Sequence, residues 1–520
     1  MPNPSPSAVA LPDYTRLLEH QRSNAVLGSA GSVLGWDQEV MMPEGGLEQR
    51  SAQLAELAGV THAQATDSRV GAWLNACEKD AALMADSTSI AAVNVRWWRH
   101  GYDRSTKLPA TLVMAMSRAT SAGKAAWAQA RAANGGKGDF AMFAPKFETI
   151  VKLCREEADA YGVPENGERW DALAEGYESG MTAAQVAGVF APLRKQLVDL
   201  LGRLGKAGSG PSDAFHQLKL PRDGQEAFVR EVAKAIGFDF SCGRLDVSSH
   251  PFCSGACPGD VRLTTRFADD NVNDALGSTM HEVGHGMYEQ GLPAEHANTP
   301  RGYAVGLSIH ESQSRLWENQ VGRSAAFWQW AHPKLKAHFD SAVAGFDCET
   351  VYGAANRVEP GLIRVEADEA TYNLHIMVRF ELERALLSGD LAVADLPGAW
   401  NEAYQRDLGV TVPNDAQGCL QDIHWSMGAL GYFPTYTMGN LYSAQLFEAA
   451  CETLGGTDAV NAQFAAGEFA PLLGWLRENV HAYGQTYGSA ALCEKVTGKP
   501  LSSEPLMRHL ELKLKPLYGV

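Results

Sequence analysis

The segment His281-Glu282-Val283-Gly284-His285 has the spacing H-E-x-x-H, with two histidines four residues apart and a glutamate after the first. Residues four apart lie on one face of a helix, so both imidazoles can bind one ion, and two neutral histidines suit Zn²⁺. Glu282 lies about 100° round the helix. From there it can reach a water on the metal and act as a general base without being a ligand. The pattern predicts metal-dependent hydrolysis of a peptide bond.

The flanks of this motif predict the helix that has to carry it. Favourable N-cap residues precede the motif, namely Asn271, Asn273 and Asp274, and Gly291 with Pro293 forms a stop signal behind it. Apolar side chains recur between these signals at spacings of three and four, at Leu276, Met280, Val283 and Met287. The alternative is an ordinary helix on which two histidines stand four apart by chance. The apolar stripe and the separate histidine face favour the functional interpretation.

A catalytic zinc takes three protein ligands and keeps a fourth position for water, so the motif needs one more ligand. Tyr288 and Gly291 stand where the metzincin pattern requires glycine and histidine, which excludes a third histidine there. A carboxylate from a second helix is the alternative. Glu311 and Glu318 lie on the next predicted helix and share a face. Glu289 is less suitable because it follows the second histidine by only four residues on the same helix. Glu311 and Glu318 therefore remain the two candidates for the third ligand.

Size and composition indicate an ordinary globular protein and exclude several classes of partner. The chain has 520 residues, of which 45% are hydrophobic and 20% charged, and its net charge of −17 argues against a nucleic-acid partner. We expect no signal peptide, because the N-terminal residues lack a basic region followed by an apolar run. No apolar stretch reaches the roughly 20 residues of a membrane span. Nine scattered cysteines indicate reduced thiols, and the cytoplasm is the expected compartment.

Most of the sequence has a helical period, which predicts a mostly α protein. Helices are predicted at 47–59, 110–133, 146–161, 183–205, 225–236, 305–321, 363–388 and 441–454. The glycine-containing segments 134–138 and 206–213 are the predicted connectors. One strand is predicted at 260–267, directly before the motif helix. It is interpreted either as an edge strand that pairs with a substrate backbone or as part of a short structural hairpin.

Short motifs in order along nearly the whole chain resemble those of the carboxypeptidase Taq family of metallocarboxypeptidases. The N-terminal stretch with Trp36-Asp37 and Met42-Pro43-Glu44-Gly45-Gly46 is similar to the family. Six further motifs follow without a departure from the family pattern: HPF at 250–252, D-x-R-x-T at 260–264, H-E-x-x-H at 281–285, HESQ at 310–313, I-R-x-x-A-D at 363–368 and G-x-x-Q-D-x-H-W at 418–425. Six ordered motifs make this resemblance specific.

The resemblance implies a large, mostly α metallopeptidase fold with a deep substrate groove, a metal at its floor and a small β-sheet beside the metal helix. It implies one catalytic domain over 1–520, with two helical lobes flanking the groove, and a homodimer. The implied activity is the release of single amino acids from the C-termini of peptides, with broad specificity. The resemblance favours Glu311 over Glu318 as the third ligand. It implies Zn²⁺ as the metal, with Co²⁺ able to replace it.

The reaction also needs a hydrogen-bond donor for the oxyanion of the tetrahedral intermediate. Near the last motif, Tyr436 is the first choice for this role and His424 the second, and Tyr432 can also donate. A structural hydrogen bond is the alternative role for each of them. Asp422 or Glu366 could orient a metal-bound histidine, as carboxylates behind metal ligands do.

Recognition of a chain end needs a group that binds a terminal carboxylate, and arginine does this best through two parallel N–H donors. Arg364 is the predicted residue, and it opens a polar stripe on the predicted helix that continues with Asp368, Tyr372, His375 and Arg379. The residues alone favour a solvated face with an Arg364–Asp368 pair, and the family motif reverses that preference. Arg262 is predicted to close the groove or to hold structure, and His250 to shape the groove wall.

Two other functions are alternatives. A zinc-dependent oligopeptidase or endopeptidase would share the H-E-x-x-H chemistry and the helical build, and internal cuts in a peptide would distinguish it from a carboxypeptidase. A non-catalytic helical binding protein with a vestigial motif is the second alternative. The intact Glu282 and the presence of all three proposed ligands argue against it.

Overall fold

Helices make up most of the protein, as predicted. The structure, a computed structural model, describes residues 12–207, 210–268 and 272–520. Its helices are α1 (Pro12–Val40), α2 (Leu47–Ala65), α3 (Ser68–Lys79), α4 (Ala81–Met84), α5 (Ile90–Lys107), α6 (Ala110–Gly136), α7 (Phe140–Tyr161), α8 (Arg169–Ala174), α9 (Ala183–Leu204), α10 (Arg222–Ile236), α11 (Val272–Gly291), α12 (Leu307–Arg315), α13 (Ala325–Phe339), α14 (Cys348–Ala355), α15 (Tyr372–Ser388), α16 (Leu396–Leu408), α17 (Pro434–Thr453), α18 (Thr457–Ala466), α19 (Ala470–Asn479), α20 (Ser489–Thr497) and α21 (Glu504–Tyr518). None of these helices has the length and apolar content that crossing a membrane requires.

Three short strands form a small sheet: β1 (Gly243–Val247), β2 (Cys253–Cys257) and β3 (Asp260–Thr265). The strand order is β1-β3-β2, with β1 parallel and β2 antiparallel to β3. The predicted strand at 260–267 is confirmed, but the structure makes it the central strand. Both of its edges are already paired, so β3 offers no free edge to a substrate backbone, and the edge-strand interpretation is wrong.

The structured chain forms two compact units, each built from several separate segments. The first unit comprises Met1–Lys107, Pro221–Val305 and Gly467–Gly488, and it contains the sheet and α11. One of its cores lies among α1, α3 and α5 and consists of buried side chains, namely Tyr14, Leu17, Val70, Leu74, Cys77, Val95 and Trp98. Full burial of one such aliphatic side chain stabilises the fold by about 1.5–3 kcal/mol.

The second unit comprises Leu108–Leu220, Gly306–Ala466 and Ser489–Val520. Within it α12 packs closely along α17. A cluster of stacked aromatic rings fills another part of its core, where the Phe147 and Trp425 rings lie 5.7 Å apart and nearly parallel. Trp400 meets Trp425 edge-on at 5.8 Å. These rings hold the turn that follows residue 423 against α7 and α16.

Most predicted helices are present, and their ends differ by a few residues. The connector predicted at 134–138 is marked by left-handed backbone at Asn134 and Gly135, where α6 loses helical geometry. The connector at 206–213 includes residues 208 and 209, which lie outside the described residues. The predicted helix 305–321 is α12 continued by a π-helical turn, Leu316–Val321.

The predicted helix 363–388 is wrong over its first nine positions, because α15 begins only at Tyr372. Residues 364–366 form a separate 3₁₀ turn. The Asp368 carboxylate accepts hydrogen bonds from the backbone N–H groups of Ala370 and Thr371, which closes a turn directly before α15. Arg364 and Asp368 therefore lie outside the helix, and the predicted polar stripe does not form as one helical face.

Candidate active site

The H-E-x-x-H motif lies in the middle of α11, as predicted. The apolar stripe of Leu276, Met280, Val283 and Met287 is buried. His281 and His285 are half-buried on another face, with their ring centroids 4.8 Å apart and their planes nearly perpendicular. Glu282 is buried, with 6% of its surface exposed. Asn271, one of the predicted N-cap residues, lies outside the described residues.

A glycine one position after His285 brings α11 close to the sheet. A β-carbon at Gly286 would lie 2.8 Å from the Phe238 ring and 2.9 Å from a methyl group of Leu263 on β3. Real β-carbons do not come this close to their neighbours. The absence of a side chain at 286 therefore lets β3 support the back of the metal-binding helix.

Three potential ligands converge in the described part of the chain. One ligand atom from each of His281, His285 and Glu311 lies within 4.8 Å of the other two. Two imidazole nitrogens and a carboxylate oxygen are the donor set of many catalytic zinc sites. The residues present therefore fit a divalent metal such as Zn²⁺. Glu318, the competing candidate, and Glu289, the less suitable one, are not part of this group.

Neighbouring side chains on its own helix hold the Glu311 carboxylate. The Arg315 guanidinium donates to Glu311 Oε1 at 2.6 Å, and the Ser314 hydroxyl donates to Oε2 at 3.2 Å. Arg315 also lies 4.3 Å from the Tyr372 ring centroid, which fixes its direction. Glu318 instead accepts from Arg315 and Arg323. Its two oxygens are thus engaged in ion pairs, consistent with a structural role.

The start of α12 is fixed by a buried acid from another part of the second unit. Glu178 accepts a hydrogen bond from the Ser308 backbone N–H at 2.7 Å and another from the Ser489 hydroxyl. Burial raises the pKa of Glu178, although these hydrogen bonds oppose the shift. Gly306 leaves room for this carboxylate, because a β-carbon there would lie 2.7 Å from its carboxyl carbon. Glu178 therefore positions the first turn of the helix that carries Glu311.

Gly439 on α17 contacts Glu311 from the opposite side. A β-carbon at this position would lie 2.6 Å from Glu311 Cβ. We expect Gly439→Ala to displace Glu311 and to weaken metal binding by roughly 10- to 100-fold, the usual effect of disturbing the support of a metal ligand. Competition with a chromophoric chelator measures the affinity.

The matched control for this prediction is Gly188→Ala, because Gly188 lies within α9 and an added β-carbon there meets nothing within 4 Å. Its metal affinity should equal that of the unaltered protein. Equal affinities for both variants would show that the contact between Gly439 and Glu311 does not position the carboxylate.

The two predicted oxyanion donors lie together in the second unit. The Tyr436 hydroxyl and His424 Nε2 are 3.5 Å apart, and the Tyr432 ring lies 5.4 Å from that of Tyr436. Burial raises the pKa of Tyr436 well above its ordinary value. Burial also lowers the pKa of His424 to about 4, with Asp422 opposing and Arg364 assisting. At neutral pH both side chains are uncharged, so each offers one hydrogen-bond donor.

Arg364 is buried beside these donors, and its partner is Asp422 instead of Asp368. Its Nε and Nη2 donate to Asp422 Oδ1 at 3.1 and 2.8 Å, and its Nη1 donates to the Tyr372 hydroxyl. Arg379 donates to the other oxygen of Asp422 at 2.7 and 2.5 Å. Burial would raise the pKa of Asp422, but the two guanidinium groups hold it well below its usual range. Two cations thus share one anion, leaving a net positive charge.

The other two predicted substrate-binding residues have structural partners within the first unit. Arg262 forms a two-bond ion pair with Asp260 at 2.8 and 2.9 Å, and its guanidinium lies 4.5 Å from the Trp36 ring centroid. The His250 side chain is exposed, and its carbonyl accepts from the Ser248 hydroxyl at 2.5 Å.

Sequence reasoning missed the groups that support these side chains. Arg379 was noted only as part of a polar stripe, and Asp422 only as a carboxylate that could orient a histidine. In the structure Asp422 joins Arg364 to Arg379, so its two oxygens are occupied by guanidinium groups. The buried acids Glu178 and Glu383 were missed entirely. No local signal marked either residue, because Glu178 lies in a polar turn after α8 and Glu383 stands between Glu381 and Arg384.

The helical build and the H-E-x-x-H helix, with a glutamate as third potential ligand, define a metallopeptidase of the two-histidine, one-carboxylate type. The model of the family "Carboxypeptidase Taq (M32) metallopeptidase" matches residues 16–514. The chain therefore belongs to this family and is a metallocarboxypeptidase, a peptide hydrolase.

Relatives and a solved structure match this chain over almost its full length. "Thermostable carboxypeptidase 1" of Thermus thermophilus is 44% identical over 513 residues, 97% of this chain and 99% of the relative. The protein of the same name from Pyrococcus furiosus is 35% identical over 96% of this chain and 97% of its own length. The crystal structure of M32 carboxypeptidase from Deinococcus radiodurans has a TM-score of 0.92 and 41% identity, covering 98% of this chain and 100% of that chain.

Proposed function

We propose that this metallocarboxypeptidase releases single amino acids from the free C-termini of peptides, with broad specificity, using a metal held by His281, His285 and Glu311. The observation that carries the proposal is the convergence of one ligand atom from each of these three residues within 4.8 Å. Glu282 directly follows the first of the two histidines on α11. We propose Zn²⁺ as the metal, with Co²⁺ able to replace it because both accept nitrogen and carboxylate donors. When bound, such a metal supplies Lewis acidity that lowers the pKa of water to about 7.

The chain's own residues divide the remaining work. Glu282 takes the proton of the attacking water and passes it to the leaving amine. Tyr436 donates its O–H to the oxyanion of the tetrahedral intermediate, with His424 as the second donor. At pH 7 Tyr436 keeps its O–H and neutral His424 keeps one N–H, so each can donate a hydrogen bond without a change of charge.

Arg364 recognises the terminal carboxylate. Its guanidinium carbon lies 5.2 Å from the Tyr436 ring centroid, so a donor for the oxyanion and a cation for the chain end stand side by side. One extended residue spans about 3.3–3.6 Å. The short distance between Arg364 and Tyr436 supports release of a single residue. In a substrate cut one residue from its end, the scissile carbonyl and the terminal carboxylate are separated by only that residue.

Arg262 and His250 complete the proposed substrate-binding set. The pairing of Arg262 with Asp260 and Trp36 supports a rigid wall position, and the exposed His250 side chain supports a place at the groove wall. We further propose that residues 1–520 form one catalytic domain, in which two helical lobes flank the groove. We also propose that the enzyme is a homodimer, which light scattering after gel filtration can test.

A reducing compartment, the cytoplasm, is the proposed location. All nine cysteines are free thiols, and five of them are buried. Proteins of oxidising compartments instead pair their cysteines in disulfides.

A time course on synthetic peptides tests the proposed activity. Mass spectrometry should show a ladder of products that shorten by one residue from the C-terminus. A chelator should stop this ladder, and added Zn²⁺ or Co²⁺ should restore it, because the donor set requires a metal. Copies of the same peptides with amidated C-termini are the matched controls and should remain intact. Internal cuts in both sets would instead support an oligopeptidase or endopeptidase.

A further inference from the structure

Glu383 is a fully buried acid on α15 that the proposed chemistry does not use. Its Oε1 accepts a hydrogen bond from the Trp425 indole at 2.9 Å. Its Oε2 accepts from the Trp170 indole at 3.1 Å and from the Gly431 backbone N–H at 2.9 Å. All three partners are neutral donors. Carboxylates are rarely buried without an ion pair, so this arrangement requires an explanation beyond packing.

Two of these donors lie at opposite ends of one short segment. Trp425 directly follows His424, and Gly431 directly precedes Tyr432. Gly431 has a φ of 95°, which is open to glycine but strained for other residues. A β-carbon there would also lie 2.9 Å from the backbone nitrogen of Ala174. One carboxylate thus ties both ends of the 424–432 segment to α15.

We propose that Glu383 is a positioning residue, whose carboxylate sets the turn at 424–432 and thereby holds His424 and Tyr436 in place. This proposal rests on the proposed roles of those two side chains as oxyanion donors. Glu383 itself acts only through the backbone and the indole that it binds.

The charge state of Glu383 decides how well it can hold the segment. Three donors point at it, so an ionised carboxylate satisfies all three, whereas the O–H of a protonated carboxyl would face only donors. Burial raises the pKa of Glu383 to about 7, opposed by the hydrogen bonds from Trp425, Gly431 and Trp170 and by the charge of Arg379. The segment should therefore loosen as the pH falls below about 7.

None of the other titratable groups named as neighbours of Glu383 changes its charge in this pH range. Cys154 on α7 and Tyr177 after α8 interact with it, and burial raises the pKa of each above its ordinary value. Arg379, one turn earlier on α15, remains a cation. His424 has its pKa lowered to about 4 by burial, so it is neutral between pH 5 and 8. A transition near pH 7 is thus assigned to Glu383.

The direct test is Glu383→Gln, assayed on the full-length metal-loaded enzyme. The amide keeps the size of the side chain, but its NH₂ group must face at least one N–H donor. We expect kcat to fall roughly 10- to 100-fold, the effect of leaving a buried donor unsatisfied at a catalytic segment, with KM changed less than about twofold. The indole fluorescence of the free enzyme should lose a transition near pH 7 that the unaltered enzyme shows.

Two comparisons separate positioning from general stability. Glu381→Gln removes a carboxylate two positions away on the same helix, where it binds Arg194 and Arg406, and should leave kcat and the fluorescence transition unchanged. Trp425→Phe and Trp170→Phe each remove one donor to Glu383. Only Trp425 belongs to the catalytic segment, so Trp425→Phe should lower kcat more, and this pair keeps the test informative if Glu383→Gln fails to fold.

The outcomes distinguish this proposal from the proposed function. Unchanged kcat in Glu383→Gln, or equal effects of the two tryptophan variants, would overturn the positioning role. If the unaltered enzyme releases no single residues, the proposed function fails instead. The fluorescence transition needs no turnover, so its presence in the unaltered protein and loss in Glu383→Gln would still support the contact between Glu383 and the segment.

Discussion

Replacing Glu282 by glutamine is expected to abolish nearly all turnover and to leave the metal in place. Glutamine keeps the size of the buried side chain but cannot take a proton from the attacking water. General-base catalysis contributes about 10²- to 10⁴-fold, so we expect a loss of kcat in that range. The three proposed ligands are untouched, and metal analysis should therefore find one ion per chain. Steady-state kinetics with matched metal analysis makes the comparison.

The matched control is Glu289→Gln, the same change seven positions later on α11. Glu289 is not part of the ligand group. Its variant should retain both turnover and metal. Substantial activity in Glu282→Gln would contradict the general-base assignment. Loss of the metal along with activity would instead indicate that Glu282 supports the ligands, since it is buried among the residues that pack α11.

The metal-binding helix could be predicted because its signals are local. The four-residue spacing of the histidines, the apolar stripe and the terminal glycine all act within one helix, and the structure gives α11 as Val272–Gly291. The sequence could not choose Glu311 from spacing, because both candidates lie on one predicted helix. That choice depends on which carboxylate the fold brings within 4.8 Å of the histidine ligand atoms, and Glu311 is the one.

The error at 363–388 also has a local cause that periodicity hides. The residues before Tyr372 keep a polar repeat of four, which favours a helix. The Asp368 carboxylate, however, binds the N–H groups of Ala370 and Thr371, which follow it in the chain. An aspartate that binds nearby backbone N–H groups in this way favours a turn over a continuous helix. An aspartate followed by threonine was therefore a better indicator of the helix start than the repeat.

The sheet shows the limit set by weak strand signals. β3 alternates and was predicted, whereas β2 consists of Cys253–Cys257 with a central glycine and has little strand propensity. Without β2 and β1, the position of β3 within the sheet could not be known. The partners of Arg364 were hidden for a similar reason, because Asp422 lies on a distant segment of the chain.

Arg364→Ala should raise KM strongly for peptides with a free C-terminus and should remove the enzyme's preference for them over amidated copies. Hydrogen bonds to a charged group contribute about 1.5–3 kcal/mol, which corresponds to roughly a 10- to 100-fold change in KM. The variant should still fold. Asp422 keeps the two hydrogen bonds from Arg379, so no buried anion is left without a partner. Kinetics on paired free and amidated peptides measures the discrimination directly.

Two further variants separate recognition from charge. Arg364→Lys keeps the positive charge but loses the planar pair of N–H donors, so its KM should lie between those of the alanine variant and the unaltered enzyme. Arg384→Ala removes an arginine that binds Glu168 at the surface, and it should leave KM unchanged. The net charge left where Arg364 and Arg379 share Asp422 is the physical basis for attracting a carboxylate. If discrimination against amidated peptides survives in Arg364→Ala, that charge is not the recognition element, and the chain end must bind elsewhere.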